Sequence, residues 1–68
     1  MKSVGGKDFA RLLEMHGWEL KRISGSHHIY AKSGSPARIS LPIHGNENLK
    51  IGLLKHLLKL SGIDEKEL

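Results

Sequence analysis

The chain has 68 residues, no cysteine, and 11 Lys and Arg against seven Asp and Glu, which gives a formal net charge of +4. This length predicts one domain over residues 1–68, and the lack of cysteine excludes disulfide bridges and thiolate metal sites. No apolar run approaches the roughly 18 residues of a membrane helix. The start also lacks the apolar core of a signal peptide, so a cytoplasmic protein without membrane contact is expected. The positive charge favours a polyanionic partner, with nucleic acid first.

The first half of the chain predicts a helix followed by two strands. Three apolar residues recur with helical spacing in residues 7–16, and Gly17 directly after them is typical of a helix end. Residues 18–23 and 27–32 are predicted as strands, and the serines and glycine of residues 24–26 are typical of the turn between them.

The second half of the chain predicts a third strand and a second helix. The strand covers residues 37–41 and ends at Pro42. A loop over residues 43–48 precedes a leucine-rich helix over residues 50–61, whose first turn contains Gly52. The expected fold is α+β in the order α-β-β-β-α, with a three-stranded antiparallel sheet. Both helices cover one face of this sheet and leave the other face open.

The alternation of side chains along the strands predicts which residues lie on the open face. Successive strand residues point to opposite faces, so the adjacent His27 and His28 cannot act together on one face. Ile29 and Ala31 are apolar and are assigned to the helix side together with His27. The predicted open face then carries Lys21, His28, Tyr30, Arg38 and Ser40.

This set of side chains suits the cleavage of RNA by its own 2′-hydroxyl group. That reaction needs a proton acceptor, a proton donor and cations that stabilise the charged phosphorane. His28 is the expected proton carrier because the ordinary pKa of histidine, about 6.5, lies near neutral pH. Lys21 and Arg38 supply the cations, and Tyr30 and His44 are the candidates for a second proton carrier. The solvated face of a small sheet is the plain alternative.

No metal or other cofactor is expected. The chain has five histidines, but a zinc site needs several converging ligands at suitable spacing. His27 and His28 diverge, and neither an HxH nor an HExxH motif occurs.

A resemblance to a known family rests on residues 9–18 (FARLLEMHGW), 25–30 (GSHHIY), 41–46 (LPIHGN) and 49–62. Together these segments cover nearly the whole chain in order, and they strongly resemble the HicA family of bacterial and archaeal toxins. The resemblance implies a fold like that of double-stranded-RNA-binding domains. It also implies a ribosome-independent mRNA endonuclease, which a HicB-type antitoxin inhibits by covering the active surface.

The resemblance further implies roles for individual residues. The catalytic histidine of the family corresponds to the second of the two adjacent histidines, His28, and Gly25 and Ser26 match the turn that positions it. Two departures from the family pattern occur outside this segment. The chain has Gly5-Gly6 where similar proteins often carry Ser before Gly, and it has Leu53 where Thr is frequent.

The sequence therefore predicts the toxin of a type II toxin–antitoxin system, a metal-independent endoribonuclease that cleaves mRNA with His28 as general acid or base. Lys21 and Arg38 are predicted to contact RNA phosphates, and Tyr30 is predicted to stack on a base or bond a phosphate. A non-catalytic RNA-binding module of the same fold is the main alternative. A third hypothesis is a domain whose basic face docks an acidic protein partner.

Overall fold

The computed structural model of the protein describes residues 2–68. Its elements are α1 (Gly6–Met15), β1 (Trp18–Ser24), β2 (His27–Lys32), β3 (Arg38–Pro42), α2 (Ile51–Ser61) and a short 3₁₀ helix (Glu65–Glu67). The predicted α-β-β-β-α order is confirmed, and the bounds of each element differ from the predicted ones by at most one residue. The 3₁₀ helix was not predicted.

The three strands form one antiparallel sheet in the order β1-β2-β3, so β2 is the central strand. The pairing of β2 with β3 is regular and sets Tyr30 opposite Ile39 and His28 opposite Leu41. The pairing of β1 with β2 contains a bulge at Lys21, because Leu20 pairs with Tyr30 and the next paired residue of β1 is Arg22. The side chains before and after Lys21 therefore follow different alternations along β1.

The hydrophobic core lies between the two helices and one face of the sheet. Helix α1 contacts β1 and β3, and α2 contacts β3. The residues that the core buries most completely come from both helices and all three strands: Phe9, Leu13, Trp18, Tyr30, Ile39, Leu41, Leu54 and Leu57. On the other face of β3, Arg38 and Ser40 are exposed. The predicted packing of both helices on one face of an antiparallel sheet is confirmed.

The start of α1 lies against the segment that follows β3. The amide of Leu49 donates a hydrogen bond of 2.8 Å to the carbonyl oxygen of Val4. Gly6 lies so close to this segment that an added Cβ atom would be 2.9 Å from the carbonyl oxygen of Pro42 and 3.1 Å from the side chain of Ile43. Only glycine allows this approach without a shift of the backbone.

Within residues 2–68, no helix combines the length and the apolar character needed to cross a membrane.

Two glycine substitutions are predicted to change stability in opposite directions. Gly6→Ala forces a methyl group against the Pro42 carbonyl, so it should lower the free energy of unfolding by about 1–3 kcal/mol, a typical cost of overpacking. Gly52→Ala lies in the first turn of α2 with no atom near the new methyl group, so it should raise that free energy by up to about 1 kcal/mol. Urea unfolding followed by the fluorescence of Trp18 measures both. Equal effects of the two substitutions would contradict the close approach at Gly6.

Candidate functional site

The hairpin between β1 and β2 is closed by a two-residue turn, Gly25-Ser26, with Ser24 paired to His27. Gly25 has a left-handed φ of 60° and Ser26 does not, which is the pattern of a type II′ turn with glycine at its first central position. The carbonyl oxygen of Ser26 accepts a hydrogen bond of 2.9 Å from the amide of Ile43. The turn is therefore tied to the chain that follows β3, and the start of β2 is fixed on both sides.

His28 lies next to this turn and on the helix side of the sheet. It pairs with Ile23 on β1 and with Leu41 on β3, and directly opposed residues share a face of the sheet. Leu41 is fully buried beneath the helices, whereas Ile23 is 56% exposed and His28 is half-buried. The helices therefore leave the hairpin end of this face uncovered, and His28 lies at the border between core and solvent.

The prediction that His28 and Tyr30 lie on the open face is wrong. Tyr30 pairs with Ile39 and is only 2% exposed, so its ring belongs to the core and does not present a surface on which a base can stack. The prediction assigned Ile29 and Ala31 to the core because they are apolar. The ring of Tyr30 buries far more surface than the methyl group of Ala31, and the strand accordingly turns the ring inward.

Three other predicted residues do lie on the open face. Arg38 and Ser40 are exposed there, and Lys21 joins them because it shares a side of β1 with Glu19, to which its ammonium group donates a hydrogen bond of 2.9 Å. His27, which was predicted on the helix side, also lies on this open face, with its Nδ1 atom 3.1 Å from the Ser40 hydroxyl oxygen. The sheet thus separates His28 from the two predicted phosphate contacts.

A comparison with protein families identifies the chain. The family described as the HicA toxin of bacterial toxin–antitoxin systems matches residues 6–63, from the first residue of α1 to just beyond α2. This match covers most of the 68 residues.

The chain belongs to the HicA toxin family. The family resemblance predicted from the sequence is therefore confirmed, and the HicA toxins are one half of toxin–antitoxin pairs, so an antitoxin partner is implied. A search of curated proteins finds no match.

The second proton carrier of this HicA-family chain is narrowed by the surroundings of Tyr30. Burial raises the pKa of the Tyr30 phenol, and the carboxylate of Glu14 raises it further. Both effects make Tyr30 a poorer proton donor at neutral pH. His44 is exposed in the loop between β3 and α2, where it lines a depression of about 180 Å³ together with Pro42 and Lys50.

Within residues 2–68, no three His, Asp or Glu side chains come together in an arrangement that could hold a metal ion.

Two features near the predicted residues were missed by the reading of the sequence. Ile23 lies beside His28 as a large exposed apolar side chain, and Ser33 and Ser35 lie in a depression with Arg38 on the open face. Ser33 and Ser35 were assigned only to a turn. No periodic signal in the sequence connects them with β1 or β3, because the bulge and the strand register bring them together.

The buried phenol of Tyr30 is predicted to titrate above its ordinary pKa of 10.0. Tyr30 is the one tyrosine of the sequence, so the ultraviolet absorbance of phenolate reports this residue alone. Because the folded protein holds the phenol proton more tightly than the unfolded chain, the resulting stabilisation is complete below pH 10.0 and is lost as the pH rises through the folded-state pKa.

Tyr30→Phe should remove this alkaline loss of stability. The guanidinium-unfolded chain is the control for the titration and should show the ordinary pKa. An unshifted pKa in the folded protein would contradict the buried position of Tyr30.

Proposed function

We propose that the protein is a metal-independent endoribonuclease that cleaves mRNA and uses His28 to transfer protons. The observation that supports this most is the position of His28. It is half-buried beside a rigid two-residue turn, at the end of the sheet that the helices leave uncovered. A histidine in such a place is held in one orientation and still reaches solvent and substrate.

The proposed reaction is an attack of the RNA 2′-hydroxyl on the adjacent phosphate. The 2′-oxygen forms a bond to phosphorus while the bond from phosphorus to the 5′-oxygen breaks, which leaves a 2′,3′-cyclic phosphate and a 5′-hydroxyl end. One proton leaves the 2′-hydroxyl and one is delivered to the 5′-oxygen. His28 carries one of these protons, since an ordinary histidine pKa of about 6.5 allows both protonation states near neutral pH. His44 is the candidate for the other proton.

Gly25 and Ser26 have a positioning role in this proposal. The left-handed backbone at Gly25 closes the turn without steric strain, and the hydrogen bond from Ile43 to Ser26 holds the turn against β3. Together they fix the register in which His28 faces Leu41. Any change that lets this turn slip would move His28 to the other face of the sheet.

A HicB-type antitoxin is the proposed inhibitor, bound over the surface around His28. The apolar side chains of Leu20 and Ile23, which are 41% and 56% exposed, lie on the same face as His28. Exposed apolar groups beside a polar site suit a protein partner, because burying them upon binding releases water.

The central test compares alanine variants of the two adjacent histidines. His28→Ala should lower the rate of RNA cleavage in EDTA by about 100-fold to 10,000-fold, the usual contribution of a general acid or base. His27→Ala is the matched control, because His27 is one residue away and faces the opposite side of the sheet, so it should keep nearly the wild-type rate.

Circular dichroism of both variants checks that the fold is retained. A His28→Ala protein that is folded and cleaves at the wild-type rate would sink the proposal. Wild-type protein that binds RNA in EDTA and never cleaves it would instead favour the non-catalytic RNA-binding module.

A further inference from the structure

The open face of the sheet carries a shallow depression of about 410 Å³ at the end of the sheet away from the Gly25-Ser26 turn. Its floor is Ala31, which is only 5% exposed because it lies between Glu19 on β1 and Arg38 on β3. The side chains around this floor are mostly hydrogen-bond donors: Lys21, Ser33, Ser35 and Arg38, with Glu19 as the one acid among them.

The donors of the depression have capacity for an anionic ligand. The hydroxyl oxygen of Ser35 accepts a hydrogen bond of 3.3 Å from the amide of Ala37, which leaves its own proton to donate. The guanidinium of Arg38 donates to the Ala37 carbonyl at 3.3 Å, and within residues 2–68 it has no carboxylate partner. A guanidinium, an ammonium and two hydroxyl groups match the acceptor oxygens of a phosphate.

Glu19 opposes this binding. Its carboxylate pairs with Lys21 at 2.9 Å, and the Lys21 ammonium lowers the pKa of Glu19. The side chains of this pair are 54% and 70% exposed, and such surface pairs contribute little to stability. A phosphate can therefore displace Glu19 from Lys21, although the remaining carboxylate repels the phosphate.

We propose that this depression binds a phosphate of the RNA backbone, as a second contact on the side of the sheet opposite His28. The inference rests on the proposed function in that RNA is the ligand. The depression has no aromatic or large apolar wall on which a base or a peptide side chain could pack, so the contact is to the backbone alone. The net charge of +4 favours the same polyanionic ligand.

The phosphate in the depression is a different one from the phosphate that is cleaved. Ala31 is three residues from His28 along β2, a distance of about 10 Å, and the two residues face opposite sides of the sheet. β1 is an edge strand, so an RNA chain can pass around it from one face to the other. Loss of the second contact should therefore weaken RNA binding without removing the chemical step.

The test measures the affinity for a single-stranded RNA oligonucleotide as a function of salt concentration, in a His28→Ala background that does not consume the RNA. Replacing Lys21 and Arg38 together by Ala should lower the affinity at least about tenfold, since two charge-assisted hydrogen bonds are lost. The slope of log affinity against log salt should fall by about 0.7, the value for one phosphate contact in a single strand.

Two further variants make the test specific. Glu19→Gln removes the competing carboxylate and should tighten RNA binding, an effect of opposite sign at the same site. Lys55→Ala combined with Lys59→Ala removes the same charge from the exposed side of α2 and should leave the affinity and the slope much less changed. Equal losses from the two double variants, or weaker binding by Glu19→Gln, would overturn the inference.

Inorganic phosphate and wild-type cleavage separate the remaining outcomes. If inorganic phosphate shifts the amide signals of Ser33 and Ser35 and RNA does not, the site takes free phosphate and the inference fails. If the depression variants bind RNA like the parent protein, the inference fails even though wild-type protein cleaves RNA. If the variants behave as expected but wild-type protein never cleaves RNA, the inference stands and the proposed function fails.

Discussion

The register of β2 against β3 is the constraint on which the rest of the structure depends. Tyr30 opposite Ile39 and His28 opposite Leu41 place one edge of the central strand against the helices. A slip by one residue would bring Tyr30 out of the core and reverse the face of every other side chain of β2. The buried ring of Tyr30 and the fully buried Ile39 and Leu41 resist such a slip, because exposing these three side chains would cost several kcal/mol, at about 1.5–3 kcal/mol for each large apolar group.

The register also gives the two adjacent histidines separate environments. His28 lies at the border of the core beside a turn that is tied to the chain after β3, while His27 bonds Ser40 on the open face. The cations that the chain carries on β1 and β3 lie on the face of His27. Proton transfer and the proposed backbone contact are thus assigned to opposite sides of one thin sheet, with the edge strand β1 as the path between them.

Much of the fold was predictable from the sequence, and the faces of the sheet were not. Helical spacing of apolar residues and the glycines at helix ends located both helices, and alternation located the strands. The central strand, however, has apolar residues on both faces, with Ile29 and Ala31 on one and Tyr30 on the other. Alternation alone cannot rank them, and the bulge at Lys21 has no sequence signature that would reveal the change of alternation in β1. The candidate His28 itself came from the family resemblance.

The most direct test of this account is a nuclear Overhauser measurement on the folded protein. The account predicts cross-peaks from the ring protons of His28 to the methyl groups of Leu41 and Ile23, and from the ring protons of His27 to the β-protons of Ser40. Cross-peaks from His28 to Ser40 would contradict it, because they would place His28 on the open face with Lys21 and Arg38.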